Sequence, residues 1–330
     1  MNGDPSSTGG PGTPISAGLT TEPVSSEPAK SFLGLDAEQP SYADARAVVL
    51  PLPFERTVSY GSGTGRGPAA ILDASAYVEL YDEELDLEPR SYGIVTVPPC
   101  EPDAEEFGAC MDAMAAEARR HLEAGKFLVS LGGEHSLTLA PVRAAAELFA
   151  GETAGDGLGV VQFDAHADLR DSYEGSRYSH ASVMRRLVDD LGLPTLAVGL
   201  RSLSSPETRL IEERRLPVIW SHELHEDERA GSTERFERLL EELPEQVYLT
   251  FDIDYFDPAL VPATGTPEPG GGTWHPTLAL LRRLFERKIV VAMDVVELAP
   301  VEGWPASDFV AAKLVHKALG YRFTLGRSGE

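Results

Sequence analysis

Cysteine is scarce in this 330-residue chain, which has only Cys100 and Cys110. Two thiols build no disulfide framework and no Cys-x-x-Cys zinc site, and reduced cysteines of a cytoplasmic protein are expected. Long apolar runs are missing too. None reaches the ~18 residues of a membrane-span candidate, which argues against an integral membrane protein. Basic residues are few: 28 Lys and Arg face 53 Asp and Glu, for a formal net charge of −25. Nucleic-acid binding depends on neutralising phosphates with basic side chains. Nucleic acid and anionic lipid are therefore poor partners, while metal ions and small cationic molecules are good ones. Acidity also serves solubility, so charge alone names no substrate.

The composition is otherwise that of a globular protein, 42% hydrophobic and 25% charged. Residues 1–30 hold five Pro and five Gly among Ser and Thr, with no aromatic residue. Such a segment buries too little surface to offset its chain entropy. With Lys30 as its first basic residue and no apolar stretch, it does not read as a signal peptide. A disordered tail over 1–31 and a single domain over 32–330 are expected. Short apolar, β-branched runs then alternate with stretches of helical spacing. The strands are expected at Ala47–Leu50, Phe127–Leu131, Val160–Phe163, Leu196–Leu200, Val218–Trp220, Val247–Phe251 and Ile289–Val296. Helices are expected around Phe107–Leu122, Ser136–Ala150, Ser182–Leu191, Glu234–Leu243, Thr277–Arg287 and Ala306–Leu319. This alternation predicts a three-layer α/β/α fold with a mostly parallel sheet.

Ligands of such sheets gather beyond the carboxyl ends of the strands, and three of those ends carry chemistry. One strand runs into Gly132-Gly133-Glu134-His135-Ser136, where two glycines permit a sharp turn and Ser136 is placed to cap the next helix. A second runs into Asp164-Ala165-His166-Ala167-Asp168. In extended chain alternate side chains share a face, so Asp164, His166 and Asp168 converge. A third ends in Asp252-Ile253-Asp254, with Ile253 turned into packing. Six groups, four of them carboxylates, exceed what one ion requires. Two divalent cations sharing carboxylates fit better, and hard oxygen donors without thiolate favour Mn²⁺ over Zn²⁺.

These three motifs, in this order, resemble the signatures of the ureohydrolases, the family of arginase and agmatinase. The resemblance extends through Thr264-Gly265-Thr266-Pro267-Glu268-Pro269-Gly270-Gly271 and Asp294-Val295-Val296-Glu297-Leu298, and back to Pro51–Phe54 and Ser59-Tyr60-Gly61. Ala263 departs from the family's usual glycine but carries no metal-binding group. The resemblance implies two Mn²⁺ ions per chain. One would be held by His135, Asp164, Asp168 and Asp252, the other by His166, Asp164, Asp252 and Asp254. It further implies that a hydroxide generated between the metals attacks a guanidinium carbon, releasing urea and an amine. His180 would carry the proton to the leaving nitrogen, Glu297 would pair with the guanidinium, and Asp294 would support from deeper in its strand. Family members commonly form trimers or hexamers, so a homo-oligomer is the corresponding expectation.

The loop Leu169–Gly175 with Tyr178-Ser179-His180-Ala181-Ser182 looks most like agmatinases, which makes agmatine, a small cationic guanidino substrate, the expected one. Asp171 or Glu174 would then supply an acidic mouth for its distal ammonium. Arg170 and Arg177 point instead to guanidinobutyrate or another guanidino acid. Arginase, and a one-zinc amidohydrolase of the deacetylase type, fit less well; the latter leaves His135 and Asp254 without a task. A metal-stabilised scaffold without activity is the third class. His222 and His225 read as a solvated face, His121 and His316 as structural, and His275 as a candidate for the pocket wall.

Overall fold

The computed structural model describes residues 30–151, 157–226 and 232–326. The expected tail over 1–31 therefore lies outside the described residues, apart from Lys30 and Ser31. The strands are β1 (Ala47–Leu52), β2 (Ile94–Thr96), β3 (Phe127–Gly132), β4 (Leu158–Phe163), β5 (Thr195–Leu200), β6 (Val218–Trp220), β7 (Gln246–Asp252) and β8 (Ile289–Val296). They form one sheet in the order β2-β1-β3-β8-β7-β4-β5-β6, with every neighbouring pair parallel. The helices are α1 (Gly67–Ser75), α2 (Phe107–Glu123), α3 (Leu139–Leu148), α4 (Val183–Asp189), α5 (Ser205–Arg214), α6 (Ser221–Glu226), α7 (Ser232–Glu241), α8 (Trp274–Arg287) and α9 (Ala306–Thr324).

Strand alternation divides the core into two. Val49, Phe127, Val129 and Leu131 pack with Ile71 of α1, Phe236 of α7, Leu281 of α8 and Val315 of α9. Val48, Leu50 and Leu128 pack on the other side with Met114 of α2, Val142 of α3, Leu187 of α4 and Ile211 of α5. Burial on both faces explains why the strands read as unbroken apolar runs. The expected three-layer α/β/α fold is found, with a sheet that is parallel throughout.

Some elements were not legible. β2 has only three residues. α1 begins with Gly67-Pro68, a good first turn, but the glycine-rich stretch 61–67 that leads into it suggests a loop. α5 opens with a Ser204–Glu207 capping box yet buries only Glu207, Leu210 and Ile211, too weak a stripe to mark a helix. α3 starts at Leu139 because His135–Thr138 form a tight 3-10 turn. Ser136 caps nothing there: its hydroxyl donates to Glu134.

β3 and β4, successive in the chain's eight-strand order, are separated in space by β8 and β7. The carboxyl ends of these four central strands therefore open on one crevice. Gly132 and Gly133 are required there for close approach, since neither has a positive φ. A Cβ on Gly133 would lie 2.1 Å from the Phe54 carbonyl oxygen, which accepts the Glu134 N–H at 2.9 Å. Gly133→Ala is expected to cost ~1–3 kcal/mol through overpacking. Urea unfolding would show it as a lower midpoint at unchanged slope. An unchanged midpoint would mean that this crossing can spread freely.

Candidate metal centre and active site

All six groups singled out by the motifs meet at the ends of β3, β4 and β7. His135 Nδ1 lies 3.1 Å from Asp164 Oδ2, 3.0 Å from Asp168 Oδ2 and 3.3 Å from Asp252 Oδ2. His166 Nδ1 lies 2.8 Å from Asp254 Oδ2 and 3.7 Å from Asp164 Oδ1. Two sets share Asp164, namely His135–Asp164–Asp252 and Asp164–His166–Asp254, and within each the ligand atoms lie within 4.8 Å of one another. Alternation accounts for only part of this convergence. His166 is extended, bridging to Ser202, but Asp168 turns back with φ +52°, a conformation disfavoured for a residue with a Cβ and typical of functional sites. Asp254 lies in a 3-10 turn that Asp252 caps by accepting the Asp254 N–H at 2.8 Å. Ile253 is fully buried in the core.

The tautomer of His135 follows from its neighbours. Thr250 Oγ1 donates to Asp294 Oδ1 at 2.7 Å, so its oxygen accepts at 2.9 Å from His135 Nε2, which must carry the proton. Asp294 Oδ2 accepts from Thr138 and Tyr248, each at 2.9 Å. Nδ1 is thus the ring nitrogen left to offer a lone pair to a cation. It is buried without a hydrogen-bond partner, because the three carboxylate oxygens around it are near enough but lie off hydrogen-bonding directions. A fixed lone pair facing three carboxylates is the donor set of a cation.

Electrostatics agree. Asp164, Asp168, Asp252 and Asp254 are buried, and among the described residues no Lys or Arg pairs with their carboxylates. Burial, and then the Asp164 charge, pushes Asp168 up to about 7. Burial and Asp254 drive Asp252 well above the usual carboxylate range. Burial opposes charge on His166, but Asp254 and Asp164 outweigh it and push the imidazole up to about 12. The residues present fit divalent metal, and they fit hard ions best because oxygen predominates.

The cluster forms the floor of a cavity of ≈320 Å³ that His180 and Glu297 also line, a size suited to a small molecule. Glu297 has φ +66°, is pushed up to about 8 by burial, and accepts the His135 N–H on Oε1 at 2.6 Å. Burial pushes His180 down to about 4. Asp171 pairs with Arg186 at 3.0 Å and Glu174 is exposed; neither lines the cavity, so the expected acidic mouth is not made by them. The wall acids are Glu207 and Glu268. Glu207 accepts the Ser204 N–H at 2.7 Å and the Leu169 N–H at 3.0 Å and faces Arg170 at 3.8 Å. Glu268 Oε1 accepts from Ser202 Oγ at 2.9 Å, and no described basic side chain pairs with its carboxylate. Arg177 is held by both oxygens of Asp190, at 2.9 and 3.0 Å.

His275 and His222 are exposed and outside the cavity wall, and the side chain of His225 lies outside the described residues. His121 is buried against the Tyr42 hydroxyl at 2.8 Å and His316 against the Leu80 carbonyl at 3.2 Å. Sequence reasoning passed over Gln162, whose Nε2 donates to Asp164 Oδ2 at 2.8 Å, and Thr250. Each is a polar residue inside an apolar strand, and that interruption was the available signal.

A family model described as the arginase family matches residues 45–320, and the chain belongs to that family. It is 42% identical over 297 residues to a Synechocystis protein named N(1)-aminopropylagmatine ureohydrolase, covering 88% of this chain and 94% of that one. It is 34% identical over 298 residues to the agmatinase of Pyrococcus horikoshii, covering 88% and 97%. Among solved structures it resembles the agmatine ureohydrolase of Thermoplasma volcanium, with a TM-score of 0.77 at 29% identity over 89% of this chain and 94% of that one. Among the described residues no helix is long and apolar enough to cross a membrane.

Thr250→Val removes the acceptor that fixes His135. Metal affinity is expected to fall about 10–100-fold, measured by competition with a chelating dye. Unchanged affinity would mean that Thr250 does not orient the imidazole.

Proposed function

We propose that this chain is a ureohydrolase holding two Mn²⁺ ions and cleaving a polyamine-like guanidine to urea and a free amine. The observation that carries the reading is the buried set of carboxylates around His135 and His166, with no Lys or Arg partner among the described residues, at the floor of a cavity shared with Glu297 and His180. His135, Asp164, Asp168 and Asp252 would hold one ion, and His166, Asp164, Asp252 and Asp254 the other. Bound there, the cations supply a water acidic enough to act as nucleophile near neutral pH and offset charge at the attacked carbon.

The chain's own groups orient the substrate and move protons. Glu297 keeps one oxygen on the His135 N–H, and the other lies beside Gly265, where the lack of a side chain leaves space. That oxygen can accept N–H groups of a guanidinium and fix the carbon for attack. His180, held neutral by burial, can take the proton that the attacking water gives up and pass it to the leaving nitrogen.

For the substrate, we favour N1-aminopropylagmatine. The relatives of that name at 35–42% identity support it, and so does the Glu268 carboxylate in the wall, which pairs with no basic side chain among the described residues and suits a cationic chain. Arg170 and Arg177 face acids of their own, which weakens the case for a guanidino acid. Agmatine is the second reading, favoured by the loop around His180 and the agmatinase relatives. Urea release from aminopropylagmatine, agmatine, guanidinobutyrate and arginine tests the choice. A preference for agmatine would replace it with the second reading, and a preference for guanidinobutyrate or arginine would defeat both.

Two variants are informative. Asp252→Asn is expected to lower urea release by at least about 100-fold and to reduce metal content, because the shared ligand loses its charge. Wild-type turnover in this variant would refute the shared role. Glu268→Gln is expected to raise KM for agmatine about tenfold, the scale of one charge-assisted hydrogen bond. Butylguanidine, which lacks the distal ammonium, should be unaffected. An equal loss on both would deny Glu268 a part in recognising the amine end.

A further inference from the structure

We propose that Thr57 and Glu134 are positioning residues that hold His180 in the Nδ1–H tautomer, so that Nε2 is the atom that gives and takes the proton. This rests on the reading of His180 as the proton carrier, and it adds which nitrogen acts and what selects it.

Glu134 is fully buried and four donors point at it. Oε2 accepts the N–H of Arg56 at 2.6 Å and the N–H of Thr57. Oε1 accepts the Thr57 hydroxyl at 2.8 Å and the Ser136 hydroxyl. The two backbone donors cannot turn away, and this convergence suits a carboxylate without a proton of its own. Thr57 has one hydroxyl proton and two acceptor positions. The proton goes to the charged and nearer oxygen of Glu134, because charge-assisted bonds are the stronger ones. The Thr57 oxygen then accepts the His180 backbone N–H at 3.0 Å and faces His180 Nδ1 at 3.2 Å. With its own proton committed, that oxygen can only accept from Nδ1, which must carry the hydrogen. Ser179 Oγ is farther from Nδ1, at 3.4 Å, and accepts the Ala181 N–H. On the other side of the ring Nε2 lies 2.8 Å from Ser59 Oγ, an exposed residue of the cavity wall. The lone pair therefore faces the cavity, and Ser59 can donate to it at rest.

The test combines a spectroscopic and a kinetic reading. In ¹⁵N-histidine-labelled protein loaded with diamagnetic Zn²⁺, long-range proton–nitrogen correlation should show His180 as Nδ1–H. Thr57→Val should abolish that preference and lower urea-forming kcat of the Mn²⁺ enzyme about 10–100-fold, the scale of one acid–base contribution. KM should stay within about twofold, since Thr57 acts through His180 and holds no substrate in this account. Thr57→Ser, which keeps the hydroxyl, should restore tautomer and kcat together. An Nε2–H tautomer in the wild type, or a valine variant with wild-type kcat, would overturn the proposal. If the valine variant does not fold, the wild-type and serine spectra still decide. If the wild type forms no urea from any guanidine, the functional reading fails while the tautomer spectrum continues to test this one.

Discussion

Four carboxylates brought out of water around two histidines are the constraint on which the rest of this structure depends. Left uncompensated, such a set would cost several kcal/mol per charge, and the chain offers no Lys or Arg partner among its described residues. It instead fixes each donor in place. Thr250 and Asp294 set the His135 tautomer, Gln162 holds Asp164, and the Ala165 N–H donates to Asp254 at 3.0 Å. These bonds orient oxygen and nitrogen lone pairs toward a common space, a preparation for cations.

The sheet order makes this possible. With β8 and β7 inserted between β3 and β4, four adjacent strand ends deliver His135, Glu297, Asp252 and Asp164 to one crevice. The connecting turns add strain where the chemistry is. Among the described residues, non-glycine positions with positive φ include Asp168 and Glu297; the rigid parallel sheet beneath them is what can sustain such conformations. A wall of loops then narrows the crevice to a cavity, with Thr57 and Ser59 approaching His180 from the segment after β1.

Much of this was legible in the sequence, for a physical reason. Strands buried on both faces are continuous apolar runs, so the polar residues at their ends stand out, and Asp164, His166, Asp252 and Asp254 were read from that contrast. Asp168 lies beside His135, but through a left-handed backbone turn and not through the strand alternation expected for it. The glycines before His135 were assigned a turn, whereas they permit crossing under Phe54 and beside Val296. What stayed hidden was tertiary. Glu268 lies in a loop far along the chain from the Ser202 it accepts from, and Asp171 looked available until Arg186 was seen to hold it. Thr57, Glu134 and His180 are joined by hydrogen bonds across 123 residues of sequence, which no local pattern reveals.

This buried donor set is expected to bind two cations side by side. Titration of metal-free protein with Mn²⁺, followed by electron paramagnetic resonance, tests it directly. Two ions should be bound per chain at saturation, with a spectrum broadened by exchange between neighbouring manganese centres, as expected for a spacing of about 3.5–4 Å. Saturation at a single ion, or two ions giving the unbroadened spectrum of isolated manganese, would contradict it.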